Sequence, residues 1–289
     1  MLGVHVTKES HVLDDKTAAD ELHAAITRDA KALSINCVQI FTHGPRFPVA
    51  NKINYDALIT STKKLDLSVH SAYMTTGIWN ITGTTDSADQ KRINFIKLQL
   101  AACEKAHAWG LVLHINKISP TIAADVMKIL KPIVKKTSVK LVLEMVSSKA
   151  SPLLTYETPE KINRLTKKIG TSDKWWGWCV DTAHLWGAGV DVTSYDQMKA
   201  WLDRLEHPEK ILMFHLNGSS VVRGSGKDVH EIAFGPDDDI WRDTEPNESG
   251  VRAIAEFAKA RQIPIICEIN RGAESDVRES LDTIKKLLE

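Results

Sequence analysis

Nine acidic and histidine residues stand at or just beyond the ends of short apolar runs that recur along the chain. His70 closes the run 67–69, for example, and Glu144 closes the run 141–143. Imidazole and carboxylate groups are the ligands that zinc and related divalent ions prefer in proteins. The nine residues are His70, His114, Glu144, Asp181, His184, His215, Asp228, His230 and Glu268. Their types and placement predict a multinuclear metal centre.

The apolar runs themselves predict the elements that position these side chains. Their β-branched or continuously apolar character is typical of strands that are buried on both faces. The predicted strands are 2–6, 36–41, 67–70, 111–115, 140–144, 176–181, 210–216 and 263–268. Eight strands alternating with amphipathic segments predict the α/β class, and specifically a (β/α)8 or TIM barrel, for which about 250 residues is typical. Because the C-terminal ends of barrel strands meet at one mouth, the metal cluster is expected there.

The chain shows no linker, low-complexity tract or shift in composition, so residues 1–289 are interpreted as a single TIM-barrel domain. A doubly wound sheet is the alternative, but it would not gather strand ends from the whole chain into one ring. Pro132 lies inside the helical segment 121–136 and is expected to kink or split that helix. Two connections are long, 42–52 and 217–246, and in a barrel both would lie on the mouth face, where long loops usually bind something.

Composition excludes some classes of protein and some kinds of site. Lys+Arg and Asp+Glu are balanced at 37 each, so the basic footprint of a nucleic-acid binder is absent, although bound metal ions would supply local positive charge. The cysteines are widely spaced without a CxxC pair, which predicts reduced, buried thiols: Cys37, Cys103, Cys179 and Cys267. No secretory signal or run of about 18 apolar residues occurs. We therefore expect a soluble, intracellular, monomeric protein (in the cytoplasm, or at a nuclear or viral replication site) that is not secreted and has no membrane partner.

Each of the nine residues taken alone has a purely structural explanation. A single histidine after a strand is more often a partly buried polar side chain than a ligand, and a single strand-end acid often caps a helix. Together these explanations fail, because the barrel would bring four carboxylates near one axis, and buried carboxylates are rarely tolerated unpaired. Local spacing agrees with a metal site. Asp181 and His184 are three apart across a strand-to-helix turn, and Asp228 and His230 point the same way in an extended loop.

These residues lie in motifs that resemble a known family. The motifs are His70-Ser71-Ala72-Tyr73, Leu143-Glu144, Cys179-Val180-Asp181-Thr182-Ala183-His184 with Gly187-Ala188-Gly189, Phe214-His215-Leu216-Asn217, Asp228-Val229-His230 and Cys267-Glu268. By them the chain resembles the endonuclease IV family of apurinic/apyrimidinic (AP) endonucleases, which are trinuclear zinc TIM barrels. All nine ligand positions have matches in order. The chain departs from the family at Ile115-Asn116, at Gly218-Ser219-Ser220, in the segment after His230 and in the loop 43–47, which indicates a divergent member.

The resemblance implies three Zn²⁺ ions per chain, with Mn²⁺ as an alternative at one site. His70, His114 and Glu144 would hold the first ion, Glu144 would bridge to a second held also by Asp181, His215 and Glu268, and His184, Asp228 and His230 would hold the third. The implied substrate is double-stranded DNA with an abasic site, cut on its 5′ side during base excision repair to leave a 3′-hydroxyl and a 5′-deoxyribose phosphate. Arg46 matches a DNA-contacting arginine, and Tyr73 and Met74 would form a wedge in the base stack. Packing over the barrel mouth is the alternative role of Tyr73.

Two or three divalent ions close together suit phosphodiester hydrolysis, because they activate a water and stabilise the attacking and leaving oxygens. Three divalent cations against four carboxylates would also leave a positive site for a phosphate. A sugar isomerase or epimerase of the xylose-isomerase-like barrels is the rival function, and it would need only Glu144, Asp181, His215 and Glu268 around one Mn²⁺. The remaining five residues discriminate against it. A catalytically inactive binder of DNA damage is a third reading, disfavoured because every ligand position is filled.

Overall fold

The computed structural model describes residues 1–6, 22–44, 53–115, 118–147, 155–269 and 273–289. Eight parallel strands form a closed barrel in which each strand pairs with its neighbours in chain order and the last pairs with the first. They are β1 (Leu2–Val6), β2 (Cys37–Phe41), β3 (Asp66–His70), β4 (Gly110–Ile115), β5 (Lys140–Met145), β6 (Trp176–Asp181), β7 (Ile211–His215) and β8 (Ile265–Cys267). The predicted barrel is confirmed, with strand ends that differ from the predicted ones by no more than two residues.

Helices pack around the outside of the barrel. Within the described residues they are α1 (Leu22–Leu33), α2 (Tyr55–Thr62), α3 (Ser87–Lys105), α4 (Pro120–Val134), α5 (Pro159–Ile169), α6 (Thr182–Gly187), α7 (Tyr195–Asp203), α8 (Gly250–Arg261) and α9 (Glu274–Leu288). A 3₁₀ helix at Tyr73–Asn80 follows β3 directly. Both α6 and α7 lie between β6 and β7. The short α6 is therefore additional to the regular alternation of strand and helix, and it begins directly after Asp181, one of the predicted ligand residues.

Pro132 was expected to kink or split its helix, and it does not split it, since α4 runs from Pro120 to Val134 with Pro132 inside it. Proline removes the hydrogen bond to the carbonyl four residues before it, and its ring crowds the same carbonyl. Pro132 lies in the last turn, so only the Lys128 carbonyl loses its partner, and the turn continues to the Lys135 amide, which donates to the Lys131 carbonyl oxygen. The helix begins at a regular cap, where the Ser119 side chain accepts a hydrogen bond from the Ile122 amide. Packing of the apolar face of α4 against the core therefore holds the helix together past the proline.

Side chains that point into the barrel form two layers, because every second residue of a strand faces inward. The floor layer consists of Gly3, Cys37, Ser68, Val112, Val142, Cys179, Met213 and Ile266. Six of its members form a buried apolar cluster that is separate from the main core between strands and helices. The upper layer lies two residues further along each strand and consists of His5, Gln39, His70, His114, Glu144, Asp181, His215 and Glu268. The barrel is thus closed by apolar side chains below and lined with polar side chains at the mouth.

Glycine is required in the floor layer at Gly3, where β1 and β2 approach each other. A Cβ atom at Gly3 would lie 1.9 Å from the carbonyl oxygen of Cys37, so no side chain fits there. The predicted reduced thiols are confirmed, since all four cysteines are free and buried. Burial raises the pKa of both Cys179 and Cys267 to about 12, which keeps these thiols protonated and unreactive. In the described part of the chain, no helix has the length and apolar character needed to cross a membrane.

Candidate metal centre

The barrel mouth brings eight of the nine predicted ligand residues into three groups, in each of which one ligand atom per residue lies within 4.8 Å of the others. The groups are His70, His114 and Glu144; Glu144, Asp181, His215 and Glu268; and Asp181, His184 and His230. The ninth residue, Asp228, places its Oδ1 3.1 Å from His184 Nε2 and 2.9 Å from His230 Nε2. Because Glu144 and Asp181 each belong to two groups, the three groups form one continuous cluster.

Glu144 connects the first two groups through its two carboxylate oxygens. Its Oε2 lies 3.1 Å from His70 Nε2 and 3.2 Å from His114 Nε2. Its Oε1 faces the other way and lies 3.0 Å from His215 Nδ1. The pairing of β4 with β5 explains part of this arrangement, since His114 and Glu144 are direct partners in the ladder. A fully buried carboxylate with one oxygen on each side is suited to bridge two cations.

The second group surrounds a single ring nitrogen. His215 Nδ1 lies 3.0 Å from Glu144 Oε1, 3.4 Å from Glu268 Oε2 and 3.7 Å from Asp181 Oδ2. Asp181 also accepts a hydrogen bond from the His184 amide, which makes it the N-cap of α6 and fixes the turn between β6 and that helix. Three carboxylates around one imidazole nitrogen carry more negative charge than one proton neutralises.

The third group provides a test of whether the residues fit a metal ion. Although Asp228 Oδ1 is close to both ring nitrogens, neither contact is aligned as a hydrogen bond. His184 Nε2 and His230 Nε2 are consequently buried without a hydrogen-bond partner among the described residues. Buried polar atoms are rarely left in this way. Two ring nitrogens and a half-exposed carboxylate that converge on one point are a suitable donor set for a divalent cation, which would replace the protons on those nitrogens.

The far side of each of three rings contacts a hydrogen-bond acceptor. His70 Nδ1 lies 2.8 Å from the Ser71 carbonyl oxygen, and His184 Nδ1 lies 2.6 Å from the Met145 carbonyl oxygen. His215 differs, since its Nε2 lies 3.0 Å from a side-chain oxygen, Gln39 Oε1. A carbonyl oxygen can only accept, so in each ring this nitrogen carries a proton, and the other nitrogen faces the cluster, where a proton or a cation can occupy it. Metal-binding histidines characteristically show this pattern.

The charges of the cluster determine its protonation. Burial alone would raise the pKa of Glu144, but the imidazoles of His215 and His114 outweigh burial and hold its pKa well below the usual value. Burial likewise opposes protonation of His184, yet Asp181 and Asp228 outweigh it and raise the pKa of His184 to about 10. Each carboxylate of the cluster therefore attracts a positive charge onto a neighbouring ring. Protons and metal ions compete for the same nitrogens.

Two of the residues predicted to contact DNA lie at the rim of this cluster. Tyr73 is 46% exposed and its ring centroid lies 5.7 Å from that of His70 and 5.4 Å from that of His114, while Met74 is 56% exposed. The 3₁₀ helix that carries them is tied to β4, because the buried Trp79 indole donates to the His114 carbonyl oxygen. Tyr73 thus packs against the mouth and also faces solvent. The third predicted contact, Arg46, lies outside the described residues.

The long connection after β7 is held in place by Ser219 and Asp238. The Ser219 hydroxyl donates to the carbonyl oxygen of Val229, the residue between Asp228 and His230, at 2.8 Å. The fully buried Asp238 carboxylate accepts hydrogen bonds from the Ser219, Phe234, Ile240 and Trp241 amides. Asp228 and His230 therefore belong to a firmly supported loop, although the sequence offered no sign that Asp238 has this role.

Sequence reasoning also missed three polar residues that hold the ligands from behind. Asn217 donates to Asp181 Oδ2 at 2.7 Å and accepts from the Glu268 amide at 2.8 Å. Gln39 donates to Glu268 Oε1 at 3.0 Å, and His5 Nδ1 lies 3.1 Å from the same oxygen. The available signal was the presence of a polar residue within a run that is otherwise apolar. His5 lies in such a run, at 2–6, and Gln39 in the run 37–41.

Comparisons with known proteins agree with this geometry. A family model described as xylose isomerase-like TIM barrel matches residues 27–287. A "Probable AP endonuclease" of African swine fever virus is 31% identical over 267 residues, which cover 86% of each chain. A "Probable endonuclease 4" of Mycoplasma capricolum is 27% identical over 255 residues, which cover 81% of each chain. A crystal structure described as AsfvAP:AG has a TM-score of 0.83 at 28% identity and covers 100% of this chain and 99% of its own.

Proposed function

We propose, because the chain belongs to the AP endonuclease family of xylose isomerase-like TIM barrels, that it is a DNA repair hydrolase that cuts the phosphodiester 5′ to an abasic site. The products would be a 3′-hydroxyl and a 5′-deoxyribose phosphate. The observation that carries this proposal is the continuous cluster of nine ligand-type residues at the barrel mouth. We propose three Zn²⁺ ions per chain, with Mn²⁺ as an alternative at one site.

The distances support an assignment of residues to three metal sites. The first site is His70, His114 and Glu144; the second is Glu144, Asp181, His215 and Glu268; the third is His184, Asp228 and His230. Glu144 would be the shared ligand of the first two sites, because its two oxygens face the two groups separately. Asp181 lies near both the second and the third groups, and its oxygen is 3.8 Å from His230 Nε2. These contacts would hold the sites at fixed separations.

When bound, the ions would supply a Lewis acid that activates water and neutralises charge on the phosphate during in-line displacement. The residues of this chain do the rest. The carbonyl oxygens behind His70 and His184 fix the tautomer of each ring, so that the ligand nitrogens are preorganised. The buried floor layer excludes water from beneath the site. Reaction must therefore occur at the open mouth, where the phosphate of an extruded nucleotide can enter.

Recognition of the lesion would involve the rim residues. An abasic nucleotide is extruded at a lower cost than a normal one, since it has no base to unpair or unstack. The Tyr73 ring packs against His70 and His114 of the first site, and Met74 is the exposed residue next to it, so the two side chains can enter the gap that the extruded nucleotide leaves. Their 3₁₀ helix is anchored to β4, so it would resist displacement when the DNA binds. Arg46 is proposed as a further DNA contact on its resemblance alone.

The proposal is tested with a DNA duplex that contains one tetrahydrofuran analogue of an abasic site. This analogue cannot be cut by β-elimination, so a nick demonstrates hydrolysis. We expect incision on the 5′ side, with a 3′ end that a DNA polymerase extends directly, and no incision of the undamaged duplex. Prolonged chelation should abolish incision, and zinc should restore it. Unchanged incision by fully metal-stripped protein, or incision of both duplexes at the same rate, would contradict the proposal.

A sugar isomerase or epimerase remains the second candidate, because the group Glu144, Asp181, His215 and Glu268 alone is a sufficient set of ligands for one divalent ion. The structure brings four further ligand-type residues into contact with that group, and a fifth, Asp228, into contact with two of those four. They are His70, His114, His184, Asp228 and His230. A single-metal site has no use for them, which favours the nuclease. Isomerisation of a ketose by the metal-loaded protein, with no incision of abasic DNA, would reverse this choice.

A further inference from the structure

His215 is held differently from the other two histidines whose rear nitrogen meets a carbonyl group. The rings of His70 and His184 contact backbone carbonyl oxygens, which every residue type supplies equally. The ring of His215 contacts the side chain of Gln39, a fully buried residue of β2. The orientation of His215 therefore depends on which amino acid occupies one position, and a substitution there can test it.

The direction of the Gln39 amide follows from its other neighbour. Gln39 Nε2 lies 3.0 Å from Glu268 Oε1, and an ionised carboxylate can only accept a hydrogen bond. The NH₂ group must therefore face Glu268, which leaves the amide oxygen to face His215 Nε2 at 3.0 Å. That oxygen can only accept, so His215 carries its proton on Nε2. Nδ1 is then the nitrogen that faces the carboxylates of Glu144, Asp181 and Glu268, and it offers its lone pair when a cation replaces the proton there.

The same amide selects the oxygen that Glu268 presents to the cluster. Oε1 of Glu268 is engaged by Gln39 and lies 3.1 Å from His5 Nδ1. Oε2 of Glu268 remains on the cluster side, 3.4 Å from His215 Nδ1 and 3.3 Å from His230 Nδ1. One side chain thus fixes the rotation of a carboxylate and the tautomer of an imidazole in the same group.

We propose that Gln39 is the positioning residue of the second metal site: it holds His215 with Nδ1 free and Glu268 with Oε2 free, and so prepares both as ligands. This inference rests on the proposed function in one respect, because it takes the group Glu144, Asp181, His215 and Glu268 to be a metal site. An apolar side chain leaves the His215 N–H unpaired, and a carboxylate meets Glu268 as a like charge.

The test is a competitive zinc titration of the Gln39→Met variant against a fluorescent chelator. Methionine keeps the length and volume of glutamine but neither donates nor accepts a comparable hydrogen bond. We expect one of the bound ions to be held about 10- to 100-fold more weakly, the usual effect of losing such a partner, and the others to be unchanged. The matched control is Ile40→Val, a buried residue of the same strand that belongs to the main core between strands and helices. It should lower stability and leave zinc affinity unchanged.

A second measurement needs no variant. In ¹⁵N spectra of the zinc-loaded wild-type protein, we expect His215 Nε2 to carry a proton protected from solvent exchange and Nδ1 to show the shift of a metal-bound nitrogen. A proton on Nδ1, or equal zinc affinity in Gln39→Met and the wild type, would overturn the inference. Failure of the proposed function looks different, since the wild-type protein would then bind no zinc at this group or would bind zinc without cutting abasic DNA.

Discussion

The floor layer and the upper layer of the barrel are built from the same strands, two residues apart, yet they are chemical opposites. Val142 and Met213 below are fully buried apolar side chains, and Glu144 and His215 above are equally buried but ionisable. Burial therefore does not distinguish the layers. The upper layer is tolerated only because each charge has partners, since a buried carboxylate without a counter-charge would take up a proton.

This difference separates the sources of stability and of function. The floor layer excludes water and stabilises the barrel through apolar burial, at about 25 cal/mol per Å². The upper layer holds like charges close together, and bound cations would relieve their repulsion. A rim of exposed side chains, represented by Tyr73 and Met74, forms a third level above the ligands. Substitutions at the three levels should consequently change different measured quantities.

The largest effect is expected for Glu144→Ala in the upper layer. The change removes the carboxylate that faces two groups at once, and loss of several kcal/mol of electrostatic stabilisation corresponds to about a thousandfold or more in kcat/KM. The barrel should still fold, because the floor layer is untouched. Steady-state incision of abasic duplex, with circular dichroism as the control for folding, gives the answer. Wild-type turnover with full zinc content would show that Glu144 is not a shared ligand.

At the rim, the double change Tyr73→Ala, Met74→Ala should weaken incision of abasic duplex by about 10- to 100-fold, because a few kcal/mol of unstacking is no longer offset. An abasic single strand is already unstacked, so its incision should change much less. Zinc content should stay at the wild-type value. The informative quantity is the ratio of kcat/KM for duplex and single strand in wild type and variant. An equal fall for both substrates would assign these residues to general support of the site.

The metal-free protein should depend on pH in a way that the zinc-loaded protein does not. The pKa of His184 is raised from 6.5 to about 10, so the stability this group contributes is complete below pH 6.5 and is lost as pH rises towards 10. The pKa of Glu144 is lowered from 4.5, so its contribution is lost as pH falls below that value. Calorimetry of stripped protein should therefore show Tm decreasing from pH 6.5 to 10. Bound zinc replaces those protons and should flatten the curve, whereas a Tm that rises over this range in stripped protein would contradict the charge assignment.

The smallest effect on activity is expected in the floor layer, for Val142→Ala. This residue lies two positions before Glu144 on the same strand, so the pair compares the layers directly. Loss of two buried methyl groups should lower the free energy of unfolding by about 1–3 kcal/mol. Turnover at a temperature where the variant is folded should match the wild type. A large fall in kcat without a change in zinc content would mean that the floor layer also tunes the chemistry.

Much of the fold could be predicted from the sequence because the strands carry a strong local signal. Runs such as 141–143 are continuously apolar, and eight of them separated by amphipathic segments leave few architectures. Local rules failed where tertiary packing decided the outcome. Pro132 was expected to kink or split its helix, but it lies in the last turn, where the missing amide removes a single hydrogen bond, and α4 runs on to Val134. The short helix α6 also carries no periodic signal of its own.

The ligand-type residues could be predicted because barrel topology converts strand-end positions into spatial neighbours. The residues behind them could not. Gln39 and Asn217 act through hydrogen bonds to side chains 176 and 36 residues away in the chain, to His215 and Asp181 respectively. Neither residue type predicts such a role, since buried amides occur for many reasons. Only the register of the strands in the folded barrel shows that the Gln39 amide reaches both His215 and Glu268.

The most direct test of the account is a count of metal ions on the folded protein. Native mass spectrometry of protein purified without chelator gives the number of zinc ions per chain, and the same sample can be assayed for incision of abasic duplex. We predict three ions per chain in the active sample and parallel loss of ions and activity on chelation. A single ion per chain in fully active protein would contradict a trinuclear upper layer and would leave five of its ligand-type residues without a metal to bind.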